Sequence, residues 1–248
     1  MVEKPYIAPE IKKILLIGTG GTGGFVAQGL AKMIAGYRLN LDVALIDPDI
    51  VEEKNRFRQN FMPWEVGCSK AEALALRLNQ QYGLCFSAHV CTGEEHRQKH
   101  GCGRNETLCV TCVDKIAPRK FLKDSPLWLD SGNDLDFGQV IFGTTGVKGS
   151  CSPELKVWDD TPFVKHLPNA YLKAGLRGKK DSSKATASCA DNPFSEQGCF
   201  INEIAAQAVL TIMHQLLIVG QVTTPGIWFS SSKGRWTPGR ITKDYFRF

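Results

Sequence analysis

The sequence predicts an α/β protein with a mostly parallel central sheet flanked by helices. A strand-like apolar run at 11–18 leads through a glycine-rich turn into a helical pattern at 22–34, and a second strand at 41–49 completes a β-α-β unit. Strands and helices then keep alternating over the first half, which favours a parallel sheet with right-handed crossovers. Antiparallel signals come only later, in an alternating run at 138–145 and a C-terminal hairpin at 226–241.

The remaining elements follow in order. Apolar periodicity predicts helices at 69–81, 117–122 and 197–219, and strands at 84–90, 107–112 and 127–130. From about residue 147 to residue 196 the periodicity disappears, so we expect a long irregular crossover loop. No clean linker divides the chain, and a single domain over residues 1–248 is expected.

Composition excludes several classes of protein. Hydrophobic residues at 43% and charged residues at 22% are close to globular averages, which disfavours disorder and coiled coils. We find neither a membrane-spanning run nor a signal peptide, and nine cysteines show no paired layout. A cytoplasmic protein with mostly reduced thiols and no membrane contact is expected. The net charge of +5 suits phosphate-bearing ligands but is too small to indicate nucleic acid.

A glycine-rich turn follows the first strand and opens the first helix. It contains Gly18, Gly20, Gly21 and Gly23. Glycine lets backbone amides approach a polyphosphate closely, and the helix N-terminus adds a positive dipole. Asp47, at the end of the next strand, is placed to hold ribose hydroxyls. A dinucleotide dehydrogenase is compatible with these features alone.

More polar residues follow Asp47 than a ribose requires. Asp49, Asn55, Arg58 and Gln59 come within thirteen residues of the chain. Arginine and asparagine are suited to phosphate oxygens, and a triphosphate is the ligand that best matches the set. Lys70, at the start of a helix, can add a point charge to the same phosphates. Asp114, at a strand's carboxyl end, occupies a position where a carboxylate commonly carries magnesium.

In their order and spacing over residues 10–145, these motifs resemble the superfamily of ThiF, MoeB and ubiquitin-activating enzymes. The shared pattern is the glycine turn, the block from Asp47 to Gln59, Gly67-x-x-Lys70, Cys112-Val-Asp114 with Arg119, and Asp130-x-Gly132-Asn133. The resemblance implies a Rossmann-like fold. Among subtypes the chain is most similar to the ThiF-related proteins of PRTRC cassettes, from its size, its Ser188-Cys189-Ala190 segment and its hairpin tail.

The resemblance also implies an activity. A carrier protein of the ubiquitin-like or sulfur-carrier kind would be activated at its C-terminal carboxylate by ATP, giving an acyl-adenylate, and the enzyme would be a homodimer. Asp47 would hold the ribose, Gln59 would order the site and Asp114 would bind magnesium. Asn55, Arg58 and Lys70 would grip the triphosphate. Cys189, just before the long helix, would accept the activated carboxylate, with Cys151 and Cys199 as rivals.

The chain departs from the family pattern at three points. Cys109-Val-Thr-Cys112 is the only Cys-x-x-Cys spacing, so no structural zinc is predicted. No arginine precedes Arg38, where the family has an N-terminal arginine, and Lys115 replaces the usual asparagine. A catalytically silent nucleotide-binding or partner-binding protein therefore stays open, as does an NAD-dependent oxidoreductase. The five histidines lack metal-ligand spacing and are interpreted as surface or core residues.

Overall fold

An eight-stranded mixed sheet forms the centre of the computed structural model, which describes residues 3–101, 105–144, 161–174, 176 and 200–246. In chain order the strands of the molecule are β1 (Tyr6–Ile7), β2 (Lys13–Ile17), β3 (Asp42–Ile46), β4 (Ser87–His89), β5 (Thr107–Thr111), β6 (Leu127–Asn133), β7 (Phe137–Thr144), β8 (Gln221–Val222), β9 (Gly226–Ser230) and β10 (Arg235–Gly239). β1 and β8 pair separately from the main sheet.

The order across the main sheet is β10-β9-β7-β6-β5-β2-β3-β4. The five strands from β6 to β4 are parallel, and β7, β9 and β10 add antiparallel pairs on the β6 side. The predicted fold class, a mostly parallel sheet with a few antiparallel strands and a C-terminal hairpin, is confirmed.

The helices are α1 (Gly21–Tyr37), α2 (Lys70–Tyr82), α3 (Gly93–His100), α4 (Ile116–Lys120), α5 (Ala170–Lys173) and α6 (Ile201–His214), the last extended by a π-helical turn at Gln215–Val219. Both sheet faces are covered. Ile14 and Leu16 of β2 belong to the core cluster that α1, α2 and α6 complete, whereas Leu15 and Ile17 belong to a smaller cluster on the other face. Burial on both faces explains why β2 is a continuous apolar run.

Helix α3 is not predicted by the apolar pattern, because its sequence GEEHRQKH contains no large apolar residue. Its start does carry a local signal. Thr92 Oγ1 accepts a hydrogen bond from the Glu95 N–H at 3.2 Å, and Glu95 Oε2 accepts one from the Thr92 N–H at 2.8 Å. This reciprocal capping box stabilises the first turn without apolar contacts.

The expected irregular loop at 147–196 lies largely outside the described residues. Within it, Leu167 and Ala170 are buried and α5 forms one short helix, so this part is packed on the core. One helical stretch of the described chain, Ile201–Val219, is long and apolar enough to span a membrane by composition. Its side chains at Ala205, Val209 and Ile212 are buried in the larger core cluster, as expected for a core helix.

Candidate functional site

The glycine turn brings the start of α1 to the carboxyl edge of the sheet. Gly18 has a φ of +86°, and a Cβ there would lie 2.6 Å from the Cys112 carbonyl oxygen, so a side chain is excluded at this position. No side chain caps α1 at Gly20. As at every helix start, the first N–H groups of α1 lack intrahelical partners, and they form the positive end of the helix dipole. This arrangement suits an anion.

Sheet topology places a crevice beside this turn. From β2 the chain moves to β3 on one side, and it later returns to β5 on the other side of β2. A reversal of this kind opens a crevice outside the carboxyl ends of the two flanking strands, where ligands of α/β proteins bind. Gly18 follows β2, Asp47 follows β3 and Asp114 follows β5 soon after, so the three predicted site positions flank this crevice.

Asp47 is buried and ties the glycine turn to β3. Its Oδ2 accepts hydrogen bonds from the Thr19 N–H at 2.6 Å and the Thr19 hydroxyl at 3.2 Å, and its Oδ1 accepts one from the Asp49 N–H at 2.9 Å. Burial raises the pKa of Asp47, while the two backbone N–H groups and the Lys70 charge oppose that rise. The carboxylate thus has a positioning role in the free protein, with about one lone-pair site left for a ligand.

Lys70 is buried at the first turn of α2, which Ser69 caps by accepting a hydrogen bond from the Glu72 N–H. Its Nζ lies 3.0 Å from Asp49 Oδ2, whose side chain is mostly exposed. The backbone adds a second link between the two segments, since the Lys70 N–H donates to the Asp49 carbonyl at 2.9 Å. The ammonium is therefore held close to the segment that follows Asp47.

The segment around the short 3₁₀ turn at Glu53–Asn55 carries two buried amides with unused hydrogen-bonding groups. Asn55 is 2% exposed and Gln59 is 9% exposed, and within the described part of the chain neither Asn55 Nδ2 nor Gln59 Oε1 has a hydrogen-bond partner. A Cβ at Gly20 would lie 3.5 Å from Gln59 Oε1, which places this amide against the glycine turn. Buried polar atoms without partners are costly, and a ligand would satisfy them.

The other two predicted catalytic side chains are accessible. Asp114 is exposed and makes no hydrogen bond or ion pair with the described residues. Arg58 is half-buried, and its carbonyl oxygen accepts a hydrogen bond from Asn202 Nδ2 at 3.1 Å. The carboxylate of Asp114 thus stands at the β5 edge of the crevice without a competing partner.

Asn202, in the first turn of α6, joins several parts of the site, and sequence reasoning missed it. Its Oδ1 lies 3.3 Å from the Thr22 hydroxyl and accepts from Asn133 Nδ2 at 3.3 Å. Together with its contact to the Arg58 carbonyl, this connects α1, β6 and the polar turn before α2. Only the helix start signals its position in the sequence, because 69 residues separate it from Asn133.

A buried ion pair supports the β5 and β6 ends of the crevice. Arg119 Nε donates to Asp130 Oδ1 at 3.0 Å, and the Thr111 hydroxyl donates to the same oxygen at 2.7 Å. Asp130 is fully buried, and the charge of Asp130 raises the pKa of Arg119 against the opposing effect of burial. Sequence reasoning noted both residues as motif positions without this role.

The proposed thiol nucleophile Cys189, like its rivals Cys151 and Cys199, lies outside the described residues. Cys112, beside the glycine turn, is a poor alternative. Burial, with a smaller contribution from Asp130, raises the pKa of its thiol well above the ordinary value, so it stays protonated.

Three histidines lie together where β4 meets α3. His89 ends β4, and His96 and His100 lie one turn apart on α3; the potential ligand atoms of all three are within 4.8 Å of one another. Each of them is a surface or core residue, as interpreted from the sequence, since His96 is buried and His100 is exposed. The sequence did not indicate that His89 joins the other two, because that contact depends on α3 packing beside β4.

The chain is similar to a known family and to solved structures. The ThiF family model matches residues 10–126. The structure of Escherichia coli MccB with SeMet MccA superposes with a TM-score of 0.61 at 16% identity, over 93% of this chain and 63% of that one. E. coli MccB with ATP gives 0.60 at 17%, over 93% and 64%. SeMet PaaA gives 0.60 at 17%, over 93% and 73%.

The similarity to the solved structures is limited in the length that is covered and in sequence identity. The chain spans less than two thirds of the length of MccB, and identities near 16% establish the fold alone. None of the curated protein sequences matches significantly. The glycine turn, Asp47, the amides at 55 and 59, Lys70 and Asp114 all lie within the segment that the family model covers. The ThiF family model thus matches the segment that carries the candidate site, which is just under half of the chain.

Proposed function

We propose that this protein uses ATP to adenylate a carboxylate at the C-terminus of a small carrier protein or peptide. The observation that carries the proposal is that Asn55 Nδ2 and Gln59 Oε1 are buried without a partner among the described residues, with Gln59 lying against the glycine turn. An amide NH₂ requires an acceptor and an amide oxygen requires a donor. A nucleoside triphosphate offers both kinds of group, and the ThiF match over this segment supports that ligand.

The proposal assigns each of these residues to a part of ATP. Asp47 would hold the ribose by accepting a hydroxyl hydrogen bond at its remaining lone-pair site. Asn55, Arg58 and the α1 N-terminus would bind phosphate oxygens, and Lys70 would exchange its contact with exposed Asp49 for a phosphate. Gln59 would order the glycine turn. An NAD-dependent oxidoreductase would use the turn and Asp47 but would leave Arg58, Lys70 and Asp114 without a common task.

Magnesium would be held by Asp114, because an exposed carboxylate without another partner matches the oxygen ligands that Mg²⁺ prefers. The ion would neutralise charge that builds up on the phosphates during transfer. Asp114 itself would fix the position of the triphosphate at the β5 edge of the crevice.

The proposed reaction is a substitution at the α-phosphate. A carboxylate oxygen of the substrate attacks the α-phosphorus, the bond to the bridging oxygen of the β-phosphate breaks, and pyrophosphate leaves with that electron pair. The protein contributes positioning and charge neutralisation, which dominate such transfers. We also propose that a thiol, with Cys189 as the candidate, then displaces AMP and forms a thioester.

Finer assignments are proposals too. The substrate would be a ubiquitin-like or sulfur-carrier protein, and the closest relatives would be the ThiF proteins of PRTRC cassettes. We propose a cytoplasmic homodimer. MccB has been solved in complex with N-formylated MccA, which is consistent with a crevice that admits a protein or peptide terminus.

ATP–pyrophosphate exchange tests the proposal, with and without small carrier proteins encoded beside this one. Calorimetry with Mg-ATP and with NAD should accompany it, because adenylation requires binding of the first ligand whether or not the correct carrier is supplied. We expect Mg-ATP to bind and NAD not to bind. NAD binding without ATP binding would overturn the adenylation proposal, and Mg-ATP binding with no exchange with any such carrier would favour a silent nucleotide-binding protein.

A further inference from the structure

The histidine cluster joins the edge of the sheet to α3. His96 and His100 are four residues apart and so lie on one face of the helix. Their ring centroids are 4.6 Å apart, and the His89 ring lies 4.8 Å from His96 and 5.8 Å from His100. Strand β4 is the outermost strand on its side of the sheet. Three imidazoles thus converge where a short edge strand meets a helix.

Helix α3 has little else to hold it on the sheet. It contains no large apolar residue, and its only buried residues are Gly93 and His96. Gly93 packs closely on Ile17, and the Arg97 guanidinium donates a hydrogen bond to the Phe121 carbonyl oxygen. Helices in proteins are stabilised mainly by packing of an apolar face, which α3 lacks. At His96 the attachment of α3 therefore depends on the contacts among the three imidazoles.

The imidazole of His96 is buried and chemically unused. It is 4% exposed, and no hydrogen bond joins it to the described residues. Burial, reinforced by the charges of His89, His100 and Lys13, lowers its pKa to about 4, so the ring is neutral near pH 7. The Lys13 ammonium is itself paired with Asp42 at 3.1 Å, which offsets its charge. A neutral imidazole with free nitrogens has the form in which histidine binds metals.

We propose that His89, His96 and His100 bind a divalent transition-metal ion, with Zn²⁺ as the first candidate, and that the ion fastens α3 to β4. Imidazole is a preferred ligand of Zn²⁺, and three protein ligands leave one tetrahedral position for water.

The geometry needs only a small adjustment to close around the ion. Zn–N bonds of about 2.0–2.1 Å place tetrahedral nitrogens about 3.3–3.4 Å apart. The ligand atoms are already within 4.8 Å of one another. The exposed His100 ring and the half-buried His89 ring would turn towards the ion to close the difference. The site is distinct from the nucleotide crevice, because the three rings lie on the face of the sheet that α3 covers.

Titration of the full chain with ZnCl₂ by calorimetry tests the proposal, together with the absorption spectrum of the Co²⁺ form. We expect one high-affinity equivalent, a thermal unfolding midpoint that rises with Zn²⁺, and a cobalt spectrum of tetrahedral type without a thiolate charge-transfer band. Exposed His100→Gln should leave folding intact and weaken binding at least tenfold, a loss on the order of what outer-shell changes alone produce. His96→Gln should do the same or more.

His166→Gln is the matched control, since His166 lies outside the cluster, and it should bind Zn²⁺ like the unmodified chain. A wild-type chain that takes up no Zn²⁺ would overturn the proposal. An affinity unchanged in both His96→Gln and His100→Gln would also overturn it, because other residues would then hold the metal. A thiolate band in the cobalt spectrum would do the same, because it would assign the metal to cysteines.

Discussion

Gly23 is the position where a single methyl group should do most harm to the crevice. A Cβ there would lie 1.8 Å from the Gly18 carbonyl oxygen, so Gly23→Ala has to displace the turn itself. We expect a loss of about 1–3 kcal/mol in unfolding free energy, typical of overpacking, together with loss of ATP binding. Denaturant unfolding and calorimetry measure the two effects.

Gly36, in the last turn of the same helix, gives the control for that change. A Cβ there meets nothing within 4 Å, so Gly36→Ala should stabilise the protein by about 0.5–1 kcal/mol and leave ATP binding unchanged. Equal behaviour of the two variants would contradict the close-packed turn.

A substitution of Asp114 should affect the reaction without affecting stability, because its side chain is exposed and has no partner among the described residues. Asp114→Asn should therefore unfold like the wild type while pyrophosphate exchange falls by about 10²–10³, the usual cost of losing one electrostatic element. Asp124→Asn makes the same substitution at an exposed site just before β6, at the amino ends of the parallel strands, and should retain full exchange. Undiminished exchange in Asp114→Asn would remove this residue from the site.

At the scale of residues, the sequence indicated the candidate site residues that directly follow strands. It did not indicate the contacts that depend on packing between distant elements. Asp47 and Asp114 could be placed because a parallel sheet brings strand ends to one edge. The contacts of Asp47 with the Thr19 and Asp49 amides, and of Lys70 with Asp49, required coordinates. Whether these residues act as predicted stays a prediction for the experiments above.

Helix α6 begins at the crevice, so its first turn should influence nucleotide binding without touching the reacting atoms. Asn202→Ala removes contacts with Thr22, Asn133 and the Arg58 carbonyl. We expect a loss of about 1 kcal/mol in unfolding free energy and a higher KM for ATP, because the polar turn and α1 lose their common anchor. Exchange kinetics against ATP concentration give the KM.

Glu203→Ala, at the next and exposed position of α6, is the control, and its KM should not change. A matching rise of KM in both variants would mean that the whole helix start is disturbed and would contradict a specific role for Asn202.

At the scale of elements, periodicity predicted the strands and helices that bury apolar side chains and missed a helix that polar contacts stabilise. Strands β2, β3 and β5 are continuous apolar runs because both sheet faces are covered, and each was predicted within two or three residues. Helix α3 was missed because a capping box and a histidine cluster take the place of an apolar face. The Thr92-x-x-Glu95 pair was the one available signal in the sequence.

At the scale of the molecule, the two edges of the sheet are poor surfaces for association. Outer strand β10 is exposed and contains Pro238, which lacks an N–H group for pairing. The opposite edge, β4, is only three residues long. Short strands and edge prolines protect against strand pairing between copies, so a dimer should form through another surface.

The long helix and the aromatic hairpin are candidate surfaces for a dimer, but the protomer itself buries apolar side chains of both. Val209 and Ile212 of α6 are fully buried, and Phe229 of β9 is packed in the same core cluster. Large exposed apolar side chains instead occur between β3 and α2, where Phe57 is 71% exposed and Trp64 is 75% exposed. Aromatic side chains of this kind are typical anchors of protein interfaces.

A homodimer that buries Phe57 and Trp64 would connect association with the nucleotide crevice, because Phe57 lies between Asn55 and Gln59 in the chain and Trp64 follows them closely. We therefore expect a dimer by light scattering at tens of micromolar, and a monomer with weaker ATP binding for the double variant Phe57→Ser and Trp64→Ser. Leu135→Ser, which alters an exposed apolar residue in the β6–β7 turn, should stay dimeric and bind ATP normally. A wild-type chain that is monomeric over this range would contradict the dimer, and a double variant that stays dimeric would move the interface away from this segment.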